Sequence, residues 1–139
     1  MRIREFRIGD AEAVIDLWLA CGLTRPWNDR QADIDRKLAD SPETLLVGEQ
    51  DGLVVGSVMA GYDGHRGWIN YLAVHPSRQG QGLGRELMDE AEERLAALGC
   101  AKINLQVREG NEVARDFYEA VGYTLDPVVS YGRRLISDD

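Results

Sequence analysis

The chain predicts an α/β (α+β) fold, a single mixed, mostly antiparallel sheet with helices on both faces. Three observations lead there. Two β-rich runs, Thr44 to Glu49 and Leu53 to Tyr62, are joined by Asp51-Gly52, a residue pair favoured in tight hairpin turns. Strand-like runs at Trp68 to Val74 and Lys102 to Val107 then alternate with helical runs at Gly82 to Leu98 and Asn111 to Val121, an order that implies a strand-helix-strand crossover. Both of those helices end in glycine, at Gly99 and Gly122, where a left-handed residue commonly stops a helix.

The remaining elements follow the same periodicities. Arg2 to Ile8 alternates charged and apolar residues as a half-buried strand does. Gly9-Asp10 then opens a helix with Asp10 as its expected N-cap, and Ala13, Val14, Leu17, Trp18 and Cys21 form its apolar stripe before Gly22. Leu23 to Asp29 reads as a loop centred on Arg25-Pro26-Trp27. A second helix is expected from Arg30 to Ala39, capped by Asn28 or Asp29 and stopped before Ser41-Pro42. Asp63-Gly64 marks a further turn, and a last strand is expected from Tyr123 onward. Without repeats, linkers or low-complexity tracts, residues 1–139 read as one domain.

Bulk properties exclude several functions. A net charge of −8 opposes general nucleic-acid binding, which needs a basic face to displace counterions. The first residues, Met1-Arg2-Ile3-Arg4-Glu5-Phe6-Arg7, contain no uninterrupted apolar run, so neither a signal peptide nor a membrane span is expected and the cytosol is the expected compartment. Cys21 and Cys100 are far apart and read as reduced thiols. His65 and His75 lack ligand-spaced partners, so no metal is expected.

The most specific stretch is Gln79-Gly80-Gln81-Gly82-Leu83-Gly84, lying between the apolar run Ile69 to Val74 and the helix that follows. Glycines at alternate positions before a helix let backbone N–H groups converge, and the positive end of the helix adds to their field, so the loop suits a phosphate. It is not the dinucleotide fingerprint, whose third glycine position is Arg85 here, and it lacks the Gly-Lys-Ser/Thr of the triphosphate loop. Arg78 and Arg85 bracket it as possible phosphate partners.

Leu72-Ala73-Val74-His75-Pro76 followed by Gln79, Gly82 and Gly84 resembles the acetyl-CoA-binding motif of the GCN5-related N-acetyltransferase (GNAT) superfamily. Downstream, Asn111, Ala114, Phe117-Tyr118 and Gly122-Tyr123 resemble that family's later cofactor and catalytic helix. Within the superfamily, Arg25-Pro26-Trp27-Asn28-Asp29 and Gly61 to Gly67 look like the bacterial YpeA group.

The resemblance implies a GNAT-like acyl-CoA N-acyltransferase fold and an N-acetyltransferase that carries an acetyl group from acetyl-CoA to a primary amine, on a small molecule or a protein. It implies cofactor contacts from Leu72, Ala73, Val74, Gln79, Gly80, Gln81, Gly82, Leu83, Gly84, Arg85 and Asn111, and a general acid at Tyr118. The pantetheine arm, with two amides, would pair with the edge of the strand ending at Val74. In the family the next strand splays away to admit it, which implies the same of Ile103 to Val107. Trp27 and Tyr71 are candidate acceptor contacts.

Many relatives carry a glutamate base before the phosphate loop, but Ile69-Asn70-Tyr71 holds no carboxylate. Asp63, His65 and Glu109 could lie at the site's mouth, but a lone acid in a turn is more often solvated, so no base is assigned and ordered water is the expected relay. The missing base leaves open a second class of function, a non-catalytic acyl-CoA-binding regulatory module. A nucleotide-binding domain using the same glycines is a third. Val128 to Ile136 is a candidate for strand pairing across a homodimer.

Overall fold

The computed structural model describes residues 1–24 and 29–137. Five strands form one sheet in the order β1 (Arg2–Glu5), β2 (Leu45–Gln50), β3 (Leu53–Tyr62), β4 (Gly67–Val74) and β5 (Ile103–Leu105). The first four run antiparallel to their neighbours and β5 runs parallel to β4, so the sheet is mixed and mostly antiparallel, as the sequence predicts. The helices are α1 (Ala11–Ala20), α2 (Arg30–Asp40), α3 (Leu83–Ala97) and α4 (Glu112–Ala120).

Leu45, Leu46 and Val47 at the start of β2 are apolar and point to alternate faces, which builds a core on each side. Leu45 and Val47 join Val14, Leu17, Trp18 and Ile34 under α1 and α2. Leu46 joins Val58, Ile69, Leu87, Met88, Ala91 and Leu95 under α3, with Phe117 and Tyr118 of α4 packed at its margin. Trp18 is fully buried and its indole N–H donates to Ser57 Oγ at 2.9 Å. Trp18→Ala empties the largest buried side chain of the first core and removes the donor to the Ser57 hydroxyl, which keeps its bond to the Tyr71 carbonyl, so it is expected to destabilise the fold by about 3–5 kcal/mol, read from the denaturant midpoint.

Asp10 differs from its expected role. Its carboxylate does not cap α1 but accepts from the Arg7 backbone N–H at 2.7 Å and from both terminal nitrogens of Arg4 at 2.7 and 2.9 Å. Arg4 in turn donates to Glu49 at 2.9 Å, which ties β1 to β2. The Arg4 guanidinium, first, and the Arg7 N–H hold the Asp10 carboxyl below the usual carboxylate range. The stability this gives is complete above the unfolded value of about 3.9 and is lost as pH falls from there through the folded value. Acid titrations followed by circular dichroism should show a shallower loss below pH ~4 in Arg4→Leu than in the wild type.

No strand follows β5 among the described residues, against the expectation of one from Tyr123 onward. The cause is a shortage of partner. The outer strand on that side, β5, is just three residues long, and Val128, Val129 and Tyr131 stand exposed at 78%, 78% and 93%. Strand propensity without a pleated neighbour to pack on does not produce a strand.

Candidate active site

β5 pairs with β4 only from Gly67↔Ile103 to Ile69↔Leu105. Beyond Ile69, β4 has no strand paired on its outer flank among the described residues, so Asn70 to Val74 present an open edge there, and β5 ends at Leu105, short of the strand expected to Val107. The inner flank of the same stretch is irregular. Met59 faces Asn70 and Ser57 faces Ala73, so two steps along β3 match three along β4, and a bulge lies at Tyr71-Leu72.

Tyr71 adopts φ +51°, rare for an aromatic residue, and its neighbours account for it. Its ring stacks on Trp18 with centroids 3.7 Å apart and planes 11° from parallel. Its hydroxyl donates to Asp33 Oδ2 of α2 at 2.6 Å, and its carbonyl accepts from Ser57 Oγ at 2.9 Å. Helix α1, strand β3 and helix α2 therefore each hold one part of the bulge. Sequence reasoning nominated Tyr71 as an acceptor contact but had no sign of Asp33 or Ser57 beside it.

β4 leads through His75 and a short 3-10 turn, Pro76–Arg78, into the glycine loop. Gly80 and Gly82 have φ +82° and +80°, left-handed values that glycine adopts without penalty, and a Cβ at either would meet nothing within 4 Å. These two positions open the space above the first turn of α3, whose leading N–H groups have no intrahelical partner. Gly84 has a different role: a Cβ there would lie 3.1 Å from Phe117 Cε1, so this glycine lets α4 close onto α3.

The polar side chains around the loop are mostly engaged. Gln79 Nε2 donates to the Val74 carbonyl at 3.1 Å, and the Cys21 thiol donates to the same oxygen at 3.2 Å. Arg78 donates to Gln50 at 2.6 Å and pairs with Asp51 at 3.5 Å, so it braces the β2–β3 hairpin. Arg85 donates to the Ala120 carbonyl at the end of α4. The arginines thus anchor the loop's surroundings.

Asn111 caps α4 through Oδ1, which accepts from Ala114 N at 3.1 Å. Two turns further on, Tyr118 lies edge-on to Phe117 and Tyr123, at 5.2 and 6.0 Å. Burial pushes its hydroxyl up to about 12, so it stays protonated throughout the neutral range. The Tyr123 hydroxyl is also raised, by burial first and by the Glu92 carboxylate to which it donates at 3.0 Å.

Asp63 is a poor base. Its carboxylate accepts from the N–H groups of Arg66 and His65, which hold it below the usual range. Asn104 is a residue that the sequence reading passed over. Its neighbours Ile103 and Leu105 pack with the α3 core, so by alternation Asn104 points to the opposite face, where its Oδ1 is buried without a hydrogen-bond partner. The only sequence signal for it was a polar residue between two apolar ones. Trp27 lies outside the described residues. No group of three or more metal-ligating side chains occurs among the described residues.

Residues 11–123 match the family model described as the acetyltransferase (GNAT) family. An acetyltransferase of Pectobacterium atrosepticum is 50% identical over 138 residues, spanning 99% of this chain and 98% of that protein. Among solved structures, Ard1 from Thermoplasma volcanium superposes with a TM-score of 0.81 at 27% identity, over 90% of this chain and 83% of its own. AAC(6')-Iy, solved with the bisubstrate analogue CoA-S-monomethyl-acetylneamine, shares the fold at a TM-score of 0.78 and 19% identity, over 96% of this chain and 97% of its own. The family match and the named relative define an acyltransferase. More narrowly, the chain belongs to the acetyltransferase (GNAT) family and is an acetyltransferase.

Proposed function

We propose that the enzyme moves an acetyl group directly from acetyl-CoA to a primary amine, with Tyr118 as general acid. The observation that carries this reading is the open outer edge of β4 from Asn70 to Val74, which runs directly into a loop of two left-handed glycines at the start of α3. An extended diamide pairs with such an edge, and a pyrophosphate suits such a loop. On this reading Leu72, Ala73 and Val74 hold the pantetheine arm. Backbone N–H groups of Gln79, Gly80, Gln81, Gly82, Leu83, Gly84 and Arg85 hold the pyrophosphate, and Asn111 fixes the first turn of α4 beside it.

The amine nitrogen attacks the thioester carbonyl carbon, the C–S bond breaks, and the departing thiolate takes the Tyr118 proton. The acceptor's own proton leaves through water, since neither Asp63 nor the Ile69-Asn70-Tyr71 stretch supplies a suitable base. Tyr71 and Trp27 remain the acceptor-side candidates. The cytosol is the proposed compartment. No helix among the described residues is long and apolar enough to cross a membrane, and the net charge of −8 opposes a nucleic-acid partner. The exposed Val128, Val129 and Tyr131 support a homodimer, which light scattering tests against the monomer mass of 15.5 kDa.

Calorimetry with acetyl-CoA and a thiol-release assay across a panel of amines test the central reading. Failure to bind at millimolar acetyl-CoA sinks it. The missing carboxylate at residues 69 to 71 favours one alternative, a non-catalytic acyl-CoA-binding regulatory module. Binding without thiol release on any amine would support the module.

A further inference from the structure

The stretch Ile69-Asn70-Tyr71 holds no carboxylate of its own, but one reaches it from another element. Tyr71, beside Leu72 at the bulge, donates its hydroxyl to Asp33 Oδ2 of α2 at 2.6 Å, a short charge-assisted bond. The other oxygen, Asp33 Oδ1, pairs with Arg36 Nη1 at 3.3 Å, so the guanidinium fixes one oxygen while the second meets the phenol. A hydroxyl, a carboxylate that can take its proton and a third group that orients the carboxylate form the arrangement by which side chains move protons. The Asp33 side chain is 27% exposed, so the far end of this chain meets solvent.

The charged groups that face the pair come from α2. They are Arg36 and, one turn beyond Asp33, Lys37, whose ammonium is turned to Ser41, Thr44 and the Ala60 carbonyl. From α1 and β3 the facing side chains are Trp18 and Ser57, which carry no charge. Asp33 also helps to hold the bulge, yet holding requires only an oxygen that accepts, and an amide would supply one. A carboxylate can in addition receive the proton.

We infer that Tyr71 and Asp33 form the proton outlet for the acceptor amine, with Asp33 as its terminus. The inference rests on the amine-acetylation reading and supplies the base that β4 lacks. The bound ammonium gives a proton to water, the water gives one to Tyr71 Oη, and Tyr71 passes its own to Asp33 Oδ2, which later releases it to solvent. The neutral amine then attacks the thioester. The nitrogen sheds a second proton through water once the N–C bond has formed, and this proton restores Tyr118 after Tyr118 has protonated the thiolate.

Thiol release by the wild type, Asp33→Asn and Tyr71→Phe, measured from pH ~6.5 to ~10 with an alkylamine and a less basic fluorinated alkylamine of matched shape, tests the outlet. Asp33→Asn leaves an oxygen for the Tyr71 hydroxyl and removes only the proton acceptor. Tyr71→Phe keeps the ring on Trp18 and removes the link. At pH ~7 each should lower kcat/KM for the alkylamine by about tenfold or more, with acetyl-CoA affinity by calorimetry within about twofold of the wild type. A lysine-like amine ionises near ~10.4, so as pH rises toward that value more of it arrives neutral and the deficit should narrow to about threefold or less. The fluorinated amine should show the same narrowing at lower pH.

No deficit, or one of equal size at every pH and for both amines, overturns the outlet and leaves amine acetylation intact. A loss of acetyl-CoA affinity that matches the loss of rate assigns the pair to holding the bulge alone and also overturns it. No thiol release by the wild type on any amine sinks the acetylation reading, and the outlet with it. Thermal melts verify that the variants fold, and either variant suffices for the comparison.

Discussion

Tyr118→Phe is expected to lower kcat by about a hundredfold or more while leaving acetyl-CoA affinity within about twofold, the range over which a positioned proton donor acts. The substitution keeps the ring between Phe117 and Tyr123 and removes only the hydroxyl. Burial holds that hydroxyl at about 12, so the wild type keeps its donor across the working range and should show no descending alkaline limb from Tyr118 below that value. A free thiol of this type ionises near ~8.5, so above that pH the departing thiolate no longer needs a donor and the variant's deficit should narrow. Steady-state rates of both proteins from pH 6.5 to about 10 decide the matter. A deficit below threefold at neutral pH, or one that widens with pH, would assign the proton to another group.

Gly82→Asp should cost about a hundredfold or more in acetyl-CoA affinity. At φ +80° the position accepts aspartate with less strain than most residues, and nothing within 4 Å obstructs its Cβ. The fold therefore persists, but a fixed carboxylate sits where the pyrophosphate is proposed to bind. Two unit charges about 5 Å apart at an effective dielectric of about 20 repel by roughly 3 kcal/mol, which is two orders of magnitude in affinity. Gly82→Ala has the backbone strain without the charge and should lose distinctly less. If calorimetry gives the two variants equal losses, backbone shape rather than electrostatics governs the loop.

The elements that the sequence reveals are those whose physics is local. Hairpin chemistry at Asp51-Gly52, the apolar stripe of α1 and the glycine stops at Gly99 and Gly122 are written in neighbouring residues, and they stand in the structure except that Ala13 of the stripe is exposed. The glycine loop was legible as a unit, yet its members divide between two tasks. Gly80 and Gly82 shape the turn, whereas Gly84 clears room for Phe117, a residue 33 positions away that no local pattern connects to it.

The same limit hides the Tyr71 bulge. An aromatic residue inside an apolar run reads as ordinary strand, and only the register slip against β3, the Trp18 stack and the Asp33 carboxylate make it otherwise. Asn104 and the buried Lys37 escaped for a related reason. Lys37 lies on α2, where a solvated amine would be expected, but its ammonium donates to Ser41, Thr44 and the Ala60 carbonyl, and burial lowers its pKa. The C-terminal run misled in the opposite direction. Its valines promise a strand, and the short flank of β5 gives them nothing to pair with.

Because Trp18, Ser57 and Asp33 each grip Tyr71, the uncommon backbone geometry there is set when the chain folds rather than when a ligand arrives. The configurational entropy of that stretch is surrendered once, in folding, and is not charged again at each turnover. On the proposed reading an arriving thioester meets a rigid edge, and the cost of ordering it falls on global stability instead of on affinity.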